Sequence, residues 1–151
     1  MTEAKAGGRQ GPADQPDATQ LFRAFMQHSP FGLQLGLRLE ELEPDRCRLA
    51  LPFDESLATY GSVVHGGALA TLVDTAATGA AWSAAGSGVV GGGTVDLTIH
   101  YLRPAEGELL IAEARIIHRG RSLCSAEVVV TAGDDEPVAQ ALVTYKLKLS
   151  G

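Results

Sequence analysis

Residues 66–85 restrict the fold more than any other part of the sequence. This segment is rich in Ala and Leu, contains no proline and is followed by Gly86, a residue that commonly ends helices. It is therefore predicted to form one long α-helix. Its only ionisable residue is Asp74, so nearly every side of the helix is apolar, as is usual for a buried helix.

Most of the remaining chain alternates apolar and polar residues, the pattern of half-buried strands. A short helix around Phe22 and Phe25, with Thr19 as N-cap, is predicted first and ends at Ser29-Pro30. The predicted strands are 35–40, 47–53, 95–101, 108–118, 122–132 and 138–149, with a glycine-rich connection at 88–93. Strands and helices do not alternate, which argues against a doubly wound parallel sheet. We expect an α+β fold with the long helix packed on an antiparallel sheet.

The length of 151 residues fits a single domain. Residues 1–18 are rich in Gly, Pro, Gln and Asp and are predicted to be a flexible tail, so that the domain covers residues 19–151. The net charge of −6, with scattered basic residues, argues against a nucleic-acid partner. No segment reaches the roughly 20 uninterrupted apolar residues of a membrane span, and the N-terminus lacks the apolar core of a secretory signal. We therefore expect a cytoplasmic protein without a membrane partner.

Asp74 is the feature of the long helix that needs an explanation. Thr71, Asp74, Thr75 and Thr78 follow helical spacing and form one narrow polar stripe. One interpretation is a solvated helix face. The other is a functional carboxylate, since solvated faces usually mix Lys, Glu and Arg, whereas this stripe holds only small hydroxyl groups and one carboxylate.

His65, Gly66 and Gly67 directly precede or begin the helix, where exposed N–H groups and the positive end of the helix dipole attract an anion or a developing oxyanion. The alternatives are an ordinary turn at Gly-Gly and a structural role for His65. Gly66 and Asp74 are separated by about 12 Å of helical rise, too far to act on the same carbonyl. If both act on one substrate, they come from different chains of a dimer.

Two segments together resemble a known family. Residues 65–74 read HGGALATLVD and residues 94–105 read TVDLTIHYLRPA, a pattern similar to the phenylacetate-degradation (PaaI-like) branch of hotdog-fold thioesterases. The resemblance covers residues 19–149 and implies a hotdog fold, with dimers that usually pair into tetramers. It also implies hydrolysis of acyl-coenzyme A. By this resemblance Asp74 is the general base or nucleophile, the N–H of Gly66 polarises the thioester carbonyl, and Thr94 holds water or the carboxylate.

The sequence departs from that family in the loop before the helix. Members often carry an asparagine six residues before the histidine, where this chain has Thr59, and the loop glycine is displaced to Gly61. Either Thr59 or Tyr60 replaces the asparagine, or its role is absent.

Coenzyme A carries phosphates, so cations are expected at the entrance to the site. The candidate cations are Arg103, Arg119 and Arg121, and Gly120 and Gly67 are further candidates for contact with coenzyme A. The alternative explanation for the arginines is that they are solubilising turn residues. No metal or other cofactor is expected, since the four histidines lack metal-ligand spacing and the two cysteines are predicted to be buried.

Phe53, Tyr60 and Trp82 suggest an aryl or medium-chain acyl group. Two alternatives to a thioesterase are a hotdog hydratase or dehydratase and a non-catalytic acyl-coenzyme A binding protein.

Overall fold

The computed structural model describes residues 16–133 and 135–151. Most of the predicted tail therefore lies outside the described residues. Asp17 and Ala18 belong to the first helix instead, because Asp17 is its N-cap and forms a capping box with Gln20. The sequence-based choice of Thr19 as N-cap was wrong by two residues.

The described part of the chain contains three α-helices, a short 3-10 helix (Glu55–Leu57) and eight strands. The α-helices are α1 (Ala18–His28), α2 (Pro30–Leu35) and α3 (Gly66–Ser83). The strands are β1 (Arg38–Glu43), β2 (Arg46–Leu51), β3 (Ala58–Tyr60), β4 (Val63–Val64), β5 (Val89–Tyr101), β6 (Leu110–Arg119), β7 (Leu123–Thr131) and β8 (Pro137–Leu149).

Six of the strands form one curved antiparallel sheet in the order β1-β2-β6-β7-β8-β5, and α3 lies across it. This confirms the predicted α+β fold. The core lies between α3 and the sheet, where Leu72, Val73 and Ala76 are fully buried. Strand β5 is at the edge of the sheet, and among the described strands only β8 pairs with it.

Gly79 allows α3 to approach the sheet closely. A Cβ atom at this position would lie 2.4 Å from the sulfur of Cys47 and 2.8 Å from the ring of Phe22. A glycine inside a helix normally weakens it, but here any side chain would force α3 away from β2. Both cysteines are free and buried, in agreement with the prediction from the sequence.

Arg119 closes the other end of α3. Its guanidinium donates hydrogen bonds to the carbonyl oxygens of Ala80 and Ala81, at 3.2 and 3.1 Å, and forms an ion pair of 2.6 Å with Asp45 in the turn between β1 and β2. A cation at this position stabilises the negative end of the helix dipole. The structure thus gives Arg119 a structural task at the end of α3, and its contact with coenzyme A stays a prediction.

The structure also corrects three local predictions. Helix α2 was not expected, because Pro30 was interpreted only as the end of α1, whereas it begins a second helix that Gly36 ends in the left-handed conformation. Residues 88–93 are not merely a connection, since β5 already begins at Val89. The short hairpin of β3 and β4 was missed entirely. No helix within the described residues is long and apolar enough to cross a bilayer.

Candidate active site

The hydroxyl groups of the polar stripe on α3 are satisfied within the helix itself. Thr71, Thr75 and Thr78 each donate a hydrogen bond of 2.8–2.9 Å to the carbonyl oxygen four residues earlier. Asp74 is partly buried and has no such local partner. The carboxylate is therefore the one polar group of the stripe that remains available for chemistry.

Thr94 on β5 fixes the orientation of this carboxylate. Its hydroxyl donates a hydrogen bond of 2.5 Å to Oδ1 of Asp74, a short charge-assisted contact. Among the described residues, Thr94 is the only side chain that hydrogen-bonds to the carboxylate of Asp74. Oδ2 is left to accept a proton or to approach a substrate.

His65 serves as the N-cap of α3. Its Nδ1 accepts a hydrogen bond of 2.8 Å from the backbone N–H of Gly67, so this nitrogen carries no proton and the ring has a structural task. The N–H of Gly67 is consequently used within the protein. The N–H of Gly66 has no acceptor among the described residues, which makes it the donor that can face an oxyanion.

Tyr101, at the end of β5, packs directly on Gly66. Its hydroxyl donates a hydrogen bond of 2.9 Å to the carbonyl oxygen of Gly66, and its ring lies 3.3–3.4 Å from the position that a Cβ of Gly66 would occupy. Sequence reasoning missed this residue, because the strand pattern shows only an alternating position and says nothing about the helix end that it reaches.

One protomer does not bring all the predicted site residues together. Helix α3 is continuous from Gly66 to Ser83, so Gly66 and Asp74 remain about 12 Å apart along its axis. Thr59 and Tyr60 are exposed on β3, in the hairpin that leads to His65.

The predicted cationic entrance is divided in the same way. Arg103 donates to the carbonyl oxygens of Glu136 and Pro137 at the end of the sheet where β8 begins. Arg121 is exposed and, with Gly120, lies in the turn between β6 and β7 at the opposite end of the sheet. These two arginines therefore cannot bind one phosphate group within a single protomer.

Two cavities adjoin Asp74. The first, here called the α2 cavity, has a volume of about 400 Å³ and lies on the side of α2 and the N-terminal half of α3. The second, the aromatic cavity, has a volume of about 370 Å³ and extends from Asp74 toward Trp82, farther along α3. Both volumes fall near the lower end of the range of about 300–1,000 Å³ that is typical of ligand sites.

The aromatic cavity has a polar group at its far end. The indole N–H of Trp82 donates a hydrogen bond of 2.9 Å to the hydroxyl oxygen of Tyr145. Burial raises the pKa of Tyr145; the contact with Trp82 opposes this increase and the charge of Asp74 adds to it, so the hydroxyl stays protonated at neutral pH. Of the three aromatic residues singled out in the sequence, only Trp82 lines a cavity beside Asp74.

The chain is similar to proteins that are named as esterases or thioesterases. The model of the thioesterase superfamily matches residues 61–139. A predicted esterase of Halobacterium salinarum is 37% identical over 126 residues, which cover 80% of this chain and 83% of that protein. The medium/long-chain acyl-CoA thioesterase YigI of Escherichia coli is 28% identical over 143 residues, covering 80% of this chain and 87% of YigI. A solved thioesterase family protein from Silicibacter pomeroyi superimposes with a TM-score of 0.82 at 29% identity, covering 88% of this chain and 99% of that one.

Proposed function

We propose, from the premise that this chain belongs to the thioesterase superfamily and is a thioester hydrolase, that its substrate is an acyl-coenzyme A and that two protomers complete its active site. The hotdog fold and the family expected from the sequence are confirmed. The observation that carries the proposal is the partly buried carboxylate of Asp74, oriented by Thr94 and bordered by two cavities. The name of the relative YigI supports coenzyme A as the carrier of the acyl group.

In the proposed mechanism Asp74 is the general base. Oδ2 takes a proton from a water molecule, whose oxygen attacks the thioester carbonyl carbon. The carbonyl oxygen becomes an oxyanion, stabilised by the N–H of Gly66 at the start of α3. When the intermediate collapses, the C–S bond breaks and the thiolate of coenzyme A takes the proton back from Asp74. A base that acts through one water molecule tolerates a longer distance to the carbonyl than a carboxylate that attacks directly.

The arrangement of β5 supports a site shared between two chains. Thr94, which contacts Asp74, and Tyr101, which contacts Gly66, lie seven residues apart on this edge strand. If two copies of β5 paired antiparallel about the point between Leu97 and Thr98, Thr94 would lie opposite the partner's Tyr101. Asp74 of one chain would then approach the partner's Gly66. Val95 is exposed within the segment 94–101 that would pair, and such pairing would cover it.

The size and lining of the cavities support an aryl or medium-chain acyl group. The aromatic cavity is bordered by the rings of Phe22, Phe25, Trp82 and Tyr145, and its volume suits a small ring or a chain of moderate length.

A panel of short, medium, long and aryl acyl-coenzyme A substrates, assayed by release of free thiol, tests the proposed reaction. We expect turnover by the wild-type protein and a loss of at least about a hundredfold in Asp74→Asn, which keeps the shape of the side chain but cannot accept a proton. Absence of thiol release with every substrate would refute the reaction. Sedimentation velocity at micromolar concentration tests the shared site, and a stable monomer that retains full turnover would refute it.

A further inference from the structure

The two cavities beside Asp74 have only two lining residues in common, Asp74 itself and Phe25. On α3, Ala70, Thr71 and Thr75 line the α2 cavity, whereas Thr78 and Trp82 line the aromatic cavity. On α1, Met26 and Ser29 border the α2 cavity, whereas Phe22 borders the aromatic cavity. Phe25 thus stands between the two cavities, across from Asp74.

The position of the Phe25 ring is fixed by a neighbouring side chain. Phe25 is 45% exposed, but its ring packs against the fully buried ring of Phe22, with centroids 5.9 Å apart and planes inclined by 32°. Because Phe22 is held in the core, this contact holds the half-exposed Phe25 ring on the side of α1 that borders both cavities.

We infer that Phe25 limits the length of the acyl group by separating the aromatic cavity, which receives the acyl group, from the α2 cavity. This inference rests on the proposed function. The thioester carbonyl has to lie beside Asp74, and the aromatic cavity leads from that residue to the Trp82–Tyr145 pair, where an acyl chain has to stop. Without the ring of Phe25, a longer chain can pass from the aromatic cavity into the α2 cavity, and the space available to it is roughly doubled.

The chain contains a built-in reporter for occupancy of the aromatic cavity. Trp82 is its only tryptophan and lines this cavity, so its fluorescence responds to a ligand there. Titration with straight-chain 1-alkanols from hexanol to tetradecanol measures chain binding without coenzyme A or turnover. Affinity of the wild-type protein should rise about fourfold with each added methylene until the cavity is full, and then level off.

The test compares Phe25→Ala and Phe25→Leu with the control Phe31→Ala. Phe31 is also exposed but, of the two cavities, lines only the α2 cavity. Its replacement therefore removes a similar ring without connecting the two cavities. The alkanol length at which affinity levels off should increase by at least two carbons in Phe25→Ala and by less in Phe25→Leu. It should stay unchanged in Phe31→Ala. In the thiol-release assay, the ratio of kcat/KM for long over short acyl-coenzyme A should rise at least about tenfold in Phe25→Ala.

The two readouts separate this inference from the proposed function. An unchanged alkanol limit in both Phe25 variants, an equal shift in Phe31→Ala, or no response of Trp82 to any alkanol overturns the role of Phe25, even if the wild-type protein hydrolyses acyl-coenzyme A. The expected shift in alkanol length without any thiol release supports the separation of the two cavities by Phe25 and refutes the proposed reaction. Phe25→Leu keeps an apolar side chain at this position, so the test stands if Phe25→Ala does not fold.

Discussion

Mixing two inactive variants tests whether Asp74 and Gly66 act across a subunit interface. Asp74→Asn removes the proton acceptor and leaves an oxygen that Thr94 can still contact. Gly66→Val places a branched side chain beside the N–H that faces the oxyanion. Its Cβ would already lie 3.3 Å from the ring of Tyr101, so the larger group has no room on that side and obstructs approach to the backbone.

The expected signal follows from the geometry of α3. Removal of an oxyanion donor costs about 3 kcal/mol, and removal of a general base costs a similar amount, so each variant alone should retain about 1% of wild-type turnover or less. Gly66 and Asp74 of one chain lie about 12 Å apart along α3, too far for both to act on the same carbonyl. In an equal mixture, a site is intact when its Asp74 comes from the Gly66→Val chain and its Gly66 from the Asp74→Asn chain. Random assortment gives this combination in about a quarter of the sites, so activity should return to about a quarter of wild type.

The assay is thiol release after co-refolding, with subunit exchange verified by native mass spectrometry. A mixture of Asp74→Asn with Thr94→Val is the matched control. These two residues contact each other within one protomer, so each site takes both from the same chain. Every site in a mixed dimer then carries one of the two substitutions, and subunit exchange restores no activity. The shared site is refuted if exchange is complete and the first mixture is no more active than the average of its components. Equal recovery in the Thr94 control would refute it as well.

Three further predictions concern stability and substrate binding. Gly79→Ala should lower the free energy of unfolding in urea by about 1–3 kcal/mol, because its Cβ would overlap Cys47, and unchanged stability would contradict the close packing of α3 on β2. Arg119→Gln should lower the free energy of unfolding by about 2 kcal/mol without raising KM. Arg121→Gln should raise KM and leave stability unchanged. The reverse pattern would indicate that Arg119, and not Arg121, binds the substrate. Burial raises the pKa of Cys47 to about 12, so the unfolded thiol releases its proton first and stability should fall above pH 9, by up to about 1.4 kcal/mol per pH unit. Urea unfolding between pH 8 and 10.5 should show a smaller slope in Cys47→Ala than in the wild type, and identical slopes would contradict this.

Much of the framework was predictable because it depends on local patterns. The apolar character of residues 66–85 indicates a buried helix, and period-two alternation indicates the long strands, since each reflects which sides of an element avoid water. The same reasoning makes Asp74 conspicuous, because a lone ionisable residue in an apolar helix needs a reason. Local patterns fail where glycine or proline has more than one use, as at Pro30 and in the glycine-rich start of β5.

The sequence alone determined the antiparallel α+β fold and the long helix. It also identified two groups in that helix, the backbone N–H of Gly66 and the carboxylate of Asp74. Only the tertiary structure decided their partners. Thr94 contacts Asp74 and Tyr101 contacts Gly66 because β5 runs alongside the part of α3 that lies between these two residues. Phe25 divides two cavities because α1 crosses α3 opposite Asp74, and Arg119 closes the helix because β6 ends there. Each of these contacts joins residues far apart in the chain, and their distance is set by strand register and helix packing, which no local pattern of residues specifies.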